Sequence, residues 1–174
     1  AQARSLGIEL GDLDQLSPLD LTIDGADEIS PGLVLVKGGG GALLREKIVA
    51  RASRRMVVIA DQTKCVDVLG AFPLPVEIVR FAPETTMRAV SEALNSVGIS
   101  ARLQFRKDAA GTIFVTDEGN LIVDCHCGRI DDPAATANAL STVTGVVEHG
   151  LFVGIASQAI IGMTDGSART ITDQ

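Results

Sequence analysis

The sequence predicts an α/β protein: an open, mostly parallel sheet flanked by helices, with a smaller α+β domain of ferredoxin-like type inserted before the C-terminal strands. Three observations carry this expectation. Two short apolar runs, residues 19–23 and 56–60, each stop at an aspartate, Asp24 and Asp61. Between them a third run, residues 33–36, passes through Lys37 into Gly38-Gly39-Gly40-Gly41 and then into a helical pattern. This is the order strand, turn, helix, strand of a parallel unit. From Pro73 and Pro75 the pattern changes to a strand, a helix, a strand, a hairpin and a second helix, before apolar strands return from Gly145.

Each element has a local reason. Residues 1–10 are mixed and show no helix cap, so the chain reads as beginning in mid-domain. Residues 42–54 are helical in spacing: Leu44, Ile48 and Ala52 form an apolar stripe, and Lys47, Arg51 and Arg54 form the stripe expected to face water. Residues 76–81 read as a strand. Residues 85–97 place Val90, Leu94 and Val97 on one helical face, and Gly98 stops the helix. Residues 101–106 alternate as a strand. The segments 113–116 and 121–125 flank Asp117-Glu118-Gly119-Asn120, a hairpin signal. Asp132 is a suitable N-cap and Pro133 a suitable first-turn residue for the next helix. The strands 146–147 and 151–155 are expected to rejoin the first sheet. The expected division is therefore 1–73 with 146–174 as an α/β catalytic domain, and 74–145 as the inserted domain.

Composition narrows the function classes. The chain has 174 residues, 46% hydrophobic and 21% charged, enough for a sizeable core. Five Phe and no Trp or Tyr leave core building to aliphatic side chains. A net charge of −7 without a basic tract argues against nucleic acid or anionic membrane as partners. No span or signal peptide is legible, and the cytoplasm is the default expectation. Cys65, Cys125 and Cys127 have neither disulfide-framework nor zinc spacing, and are expected to pack as ordinary thiols.

Four features are expected at the carboxyl ends of strands, where open α/β sheets bind ligands: Asp24-Gly25-Ala26-Asp27-Glu28, Lys37 with its glycines, Glu46, and residues 61–64. The glycines sit inside a strand–helix unit, where a linker has no reason to be. There they let backbone N–H groups approach an anion at the helix N-terminus. Neither the phosphate-loop pattern nor the dinucleotide fingerprint is met, since no Lys-Ser/Thr follows Gly41 and Leu43 stands where the fingerprint needs Gly or Ala. Glu46 lies on neither helical stripe, between Ala42, Val49 and Ala50. It is either a surface residue or a carboxylate in a crevice with its pKa raised towards that of a general base. The acidic cluster could cap a turn or hold Mg²⁺. The adjacent Lys37 favours carboxylates that handle protons while Lys37 stabilises an oxyanion.

Residues 24–29 (Asp-Gly-Ala-Asp-Glu-Ile), 35–43 and 45–49 resemble the two signature segments of type A ribose-5-phosphate isomerases. Similar landmarks follow at Ile59-Ala60-Asp61 with Thr63-Lys64, at 72–77, at 115–117, at 124–126 and at 145–152, so the resemblance covers essentially the whole chain. It implies interconversion of ribose 5-phosphate and ribulose 5-phosphate without metal or organic cofactor. It places the general base on Glu46, proton handling on Asp24 and Asp27, and enediolate stabilisation on Lys37. Gly25, Ala26, Gly38, Gly39 and Gly40 would line the substrate, and Lys64 would meet its phosphate. The family begins with a further strand, loop and helix, and the match here starts after it. A catalytically silent sugar-phosphate-binding module and a metal-dependent hydrolase using Asp24 and Asp27 are the competing classes. The inserted domain carries none of these residues and is expected to support a homo-oligomer, dimer or tetramer.

Overall fold

The computed structural model describes residues 2–172. The first half of the chain runs α1 (Gln2–Ser5), α2 (Leu13–Leu16), β1 (Thr22–Asp24), β2 (Glu28–Ser30), β3 (Val34–Val36), α3 (Leu43–Arg51) and β4 (Met56–Asp61). It continues β5 (Leu74–Ile78), α4 (Pro83–Ser96), β6 (Arg102–Phe105), β7 (Leu121–His126), α5 (Pro133–Ser141) and β8 (Val146–His149). The last strands are β9 (Leu151–Phe152), β10 (Gln158–Gly162) and β11 (Ala168–Thr172).

The elements form three sheets, ordered β1-β4-β10-β11, β2-β3-β9 and β6-β7-β5-β8. In the first sheet β1, β4 and β10 run parallel and β11 closes the edge antiparallel, so it is mostly parallel as expected. The third sheet is wholly antiparallel. With α4 and α5 it follows the order βαββαβ of a ferredoxin-like unit.

Strand partners differ from the sequence expectation in three places. The strand before the glycines, β3, is not in the parallel sheet but pairs antiparallel with β2 and β9. Neither 146–147 nor 151–155 rejoins the first sheet: 146–149 is the fourth strand of the ferredoxin-like sheet, paired with β5, and 151–152 is β9, paired with β3. The strands that return to the parallel sheet are β10 and β11. Segment 113–116 makes only isolated bridges, Lys107 to Ile113 and Val115 to Leu121. Gly150 explains the passage of the chain between sheets. Its N–H donates to Pro75 O at 2.8 Å and its carbonyl accepts from Lys37 N–H at 2.9 Å, one contact in each unit. A Cβ there would lie 2.3 Å from Lys37 O, so only glycine permits the approach.

Each unit has its own core. Ile29, Leu35, Met56, Val58, Phe152 and Ile161 pack around the parallel sheet. Leu74, Val76, Ile78, Val90, Leu94 and Val123 pack between the ferredoxin-like sheet and its helices. The α4 and α5 expectations hold. Val90 and Leu94 are fully buried, Gly98 takes a left-handed φ of 81°, and Asp132 caps α5 by accepting from Ala135 N–H at 2.9 Å. Glu77 accepts from Thr116 and Asn120, both at 2.9 Å, and so fixes the 117–120 turn. Cys125 is buried in β7, and burial holds its thiol pKa well above the ordinary value. Among the described residues no helix is long and apolar enough to cross a membrane.

Candidate active site

The site begins with Lys37. It follows β3 directly, its backbone is held by Gly150, and its side chain is only 3% exposed. A buried ammonium needs partners. Lys37 Nζ lies 2.9 Å from Asp24 Oδ2 and 3.3 Å from Glu46 Oε2, and donates to Gly25 O at 2.7 Å. Residues from three elements thus converge on one cation. Asp24 comes from the carboxyl end of β1 and Glu46 from the first turn of α3.

Glu46 occupies a crevice, which resolves the ambiguity left by its helical position. Its side chain is 25% exposed, and Oε2 is buried without a directed hydrogen bond, although the Lys37 ammonium is at ion-pair distance. Burial is the largest influence on its pKa and raises it; Lys37 pulls it down, and Asp24 pushes it up. The result is a carboxylate of increased proton affinity, one oxygen buried against Lys37 and the side chain still a quarter exposed. Such a group can take a proton from carbon near neutral pH.

Asp27 faces the glycine loop. Its Oδ2 accepts from Gly39 N–H at 2.8 Å, and its own N–H donates to Val36 O at 2.8 Å. A Cβ on Gly39 would lie 2.6 Å from Asp27 Oδ1, so the glycine is required for this contact. Gly25 gives both backbone groups to the cluster: its N–H donates to Asp24 Oδ1 at 2.7 Å and its carbonyl accepts from Lys37. Gly38, Gly40 and Ala26 complete the two loops. Lys64 stands in the short 3₁₀ turn Gln62–Lys64 after β4, beyond the carboxyl end of that strand as Asp24 is at the carboxyl end of the parallel β1. Asp61 caps that turn by accepting from Thr63 N–H at 2.8 Å. Hydrogen bonding from Thr63 holds the Asp61 carboxyl below its ordinary pKa. Glu28, the last residue of the acidic cluster, is structural. It is buried and accepts from Gly70 and Phe72 N–H, both at 2.7 Å, pinning the strand-to-strand connection.

Lys47 corrects the expected water-facing stripe of α3. It is buried, while Ile48 on the expected apolar stripe is 51% exposed. Lys47 Nζ donates to Glu148 Oε1 at 2.7 Å and to His149 O at 2.6 Å. The reason is tertiary: α3 packs against β8, so the flank carrying Lys47 is covered and meets a carboxylate there. Burial and the Lys47 charge hold the His149 pKa at about 4, with Glu148 opposing them. The Lys47 and Lys37 ammonium groups lie 4.9 and 5.5 Å from the centroid of the same Phe152 ring. Nothing local in the sequence marked Lys47, Glu148 and His149 as partners, since about a hundred residues separate Lys47 from the other two.

A shielded carboxylate beside a fixed ammonium, with two aspartates and a glycine loop around them, defines an α/β enzyme of the acid–base class. Comparison with known proteins narrows it. Residues 1–166 match the family model described as ribose 5-phosphate isomerase A (phosphoriboisomerase A). Ribose-5-phosphate isomerase A of Rhodopseudomonas palustris strain HaA2 is 58% identical over 166 residues, which cover 95% of this chain and 72% of that protein. Ribose 5-phosphate isomerase from Plasmodium falciparum superposes with a TM-score of 0.93 at 39% identity, over 99% of this chain and 74% of that one. A D-ribose-5-phosphate isomerase solved in complex with phospho-erythronic acid superposes at 0.87 with 34% identity, over 98% and 72%. The chain belongs to the ribose 5-phosphate isomerase A family.

Proposed function

We propose that this chain interconverts D-ribose 5-phosphate and D-ribulose 5-phosphate by carrying one proton between adjacent carbons of the open-chain sugar through an enediolate. The family supports the reaction, and the environment of Glu46 supports the assignment of the base. In this reading Glu46 takes the proton from the carbon beside the aldehyde and returns it to the former aldehyde carbon. Asp24 and Asp27 move protons on the ring and chain hydroxyls. Lys37 faces the oxygen on which charge develops, so its contribution is greatest in the transition state. Lys64 meets the phosphate, and the loops of Gly25, Ala26, Gly38, Gly39 and Gly40 line the sugar. The ferredoxin-like unit, expected over 74–145 and extended by β8 to His149, supports a homo-oligomer. Light scattering of a monomer at micromolar concentration would remove that role.

The single observation that carries the assignment is the partly buried Glu46 carboxylate, 3.3 Å from the Lys37 ammonium and raised in pKa chiefly by burial. The test is incubation with ribose 5-phosphate in the presence of a chelator, following ketose formation. The Glu46→Gln variant is expected to lose at least ~10²-fold in kcat with little change in KM. Sugar-phosphate binding without turnover in the unsubstituted protein would favour the silent binding module. Turnover abolished by the chelator would favour metal-dependent chemistry.

A further inference from the structure

We infer that Arg106, braced by Asp124, is a positioning residue for this reaction: it holds the glycine loop, and through the Gly38–Gly39 peptide it holds Asp27. The inference rests on the isomerase reading above and extends it to the ferredoxin-like unit, to which no part of the chemistry has so far been attached.

Arg106 follows β6, and its backbone is tied on both sides. Its N–H donates to Ile122 O at 2.8 Å, and its carbonyl accepts from Phe114 N–H at 2.9 Å. The guanidinium is divided between two tasks. Nε and Nη2 form a fork on the Asp124 carboxylate at 3.1 and 2.5 Å. Nη1 donates to Gly38 O at 2.6 Å and Gly39 O at 3.2 Å. The Arg106 and Asp124 side chains are 12% and 13% exposed, so solvent competes weakly for these bonds. Only a planar fork can grip a carboxylate with two donors and present a third elsewhere; a lysine ammonium cannot reproduce this geometry.

The consequence for the site follows from the planarity of the peptide. In a trans peptide the carbonyl of one residue and the N–H of the next point in opposite directions. The Gly38 carbonyl is held by Arg106, and the Gly39 N–H of the same peptide donates to Asp27 Oδ2 at 2.8 Å. Asp124, Arg106, one peptide group and Asp27 therefore form a continuous line of hydrogen bonds across the junction of the two units. A cation on the carbonyl polarises the peptide and strengthens its N–H as a donor. The weaker bond to Gly39 O turns the Gly40 N–H away from Arg106. With no room for a Cβ at Gly39, the loop cannot shift without moving the Asp27 carboxylate. A run of glycines is flexible by composition, and Arg106 removes that freedom from outside the loop.

The experiment is a double-mutant cycle between Arg106→Ala and Asp27→Asn, with Arg106→Lys as the conservative variant, read by steady-state kinetics and by amide hydrogen exchange. Arg106→Ala is expected to lower kcat by ~10–100-fold while KM stays within about 3-fold, the cost of a misplaced catalytic group. In the Asp27→Asn background the same change is expected to cost less than about 3-fold more, because the group it positions is already impaired. Exchange of the Gly39 amide is expected to quicken at least ~10-fold in Arg106→Ala. Arg106→Lys is expected to fold and to recover only part of the loss; if Arg106→Ala does not fold, the lysine variant carries the same three comparisons. Additive losses, an effect on KM alone, or unchanged Gly39 exchange would each overturn the inference and leave Arg106 a strut between units. Failure of the unsubstituted protein to isomerise the sugar would overturn the isomerase reading instead. The exchange measurement would still decide whether Arg106 holds the loop.

Discussion

Replacing Lys37 by methionine keeps most of the buried volume and removes one charge from between two carboxylates. The consequences can be worked from the geometry. Asp24 at 2.9 Å and Glu46 at 3.3 Å lose their common counter-ion and face one another. Breaking a fully buried pair costs about 3–5 kcal/mol. Here the carboxylates are 29% and 25% exposed and can recover part of their hydration, so a loss of about 1–3 kcal/mol is expected. For a chain of this size that lowers Tm by about 2–4 °C per kcal/mol. The kinetic effect should be larger. A preorganised charge aimed at a developing oxyanion is worth ~10²–10³ in kcat, whereas the ground-state sugar gains little from it, so KM should change little. A further sign is fixed by the causes of the Glu46 shift. Lys37 lowers that pKa, opposing burial and Asp24. Its removal therefore raises the pKa, and the acid limb of the pH–rate profile moves to higher pH. The assay is kcat and KM across pH for the variant and the parent, with thermal melts alongside. An effect confined to KM with an unmoved acid limb would refute the reasoning. Lys37 would then be a substrate anchor, and the enediolate would depend on the backbone N–H groups of Gly38, Gly39 and Gly40.

Other consequences are open to direct measurement. Lys64→Ala should chiefly raise KM, by ~10-fold or more, with kcat preserved, if Lys64 meets the phosphate as proposed, since that group does not change during the reaction; steady-state kinetics decides. The His149 pKa is held at about 4 against an ordinary 6.5. The unfolded chain therefore takes up the proton first as pH falls. The neutral buried His149 contributes stability above pH 6.5 that is lost progressively down to about 4. Denaturant melts at stepped pH should show that slope, up to about 3 kcal/mol in total, and His149→Gln should flatten it. Glu46 acts in the opposite sense. Its raised pKa favours folding most below its ordinary 4.5, and this contribution is lost as pH rises through the folded value. Glu46→Gln should therefore be more stable than the parent near neutral pH, by under about 1 kcal/mol in thermal melts.

Much of the fold was legible because its signals are local. The N-cap Asp132 before Pro133, the stop at Gly98 and the 117–120 turn each act within a few residues, and each holds in the structure. The acidic segment 24–28, the glycine run and Glu46 were likewise visible as residue types in order. What they do together was not. The sequence left Glu46 between surface and crevice, because a helical wheel reports angle and not what lies opposite. The approach of Lys37 and Asp24 from the ends of β3 and β1 decided it, and packing of α3 against β8 buried Lys47. Strand partners were misread for the same reason. An apolar run such as 34–36 states that it is buried, not which edge it joins; its antiparallel pairing with β2 and β9 depends on residues up to 152. Arg106 was invisible as a site residue because its contacts with the glycine loop span 67 and 68 positions. The order of the chain determined the chemical groups and their local backbone. Only long-range packing, which closes loops of tens of residues and strips water from charges, decided which of those groups meet and with what proton affinity.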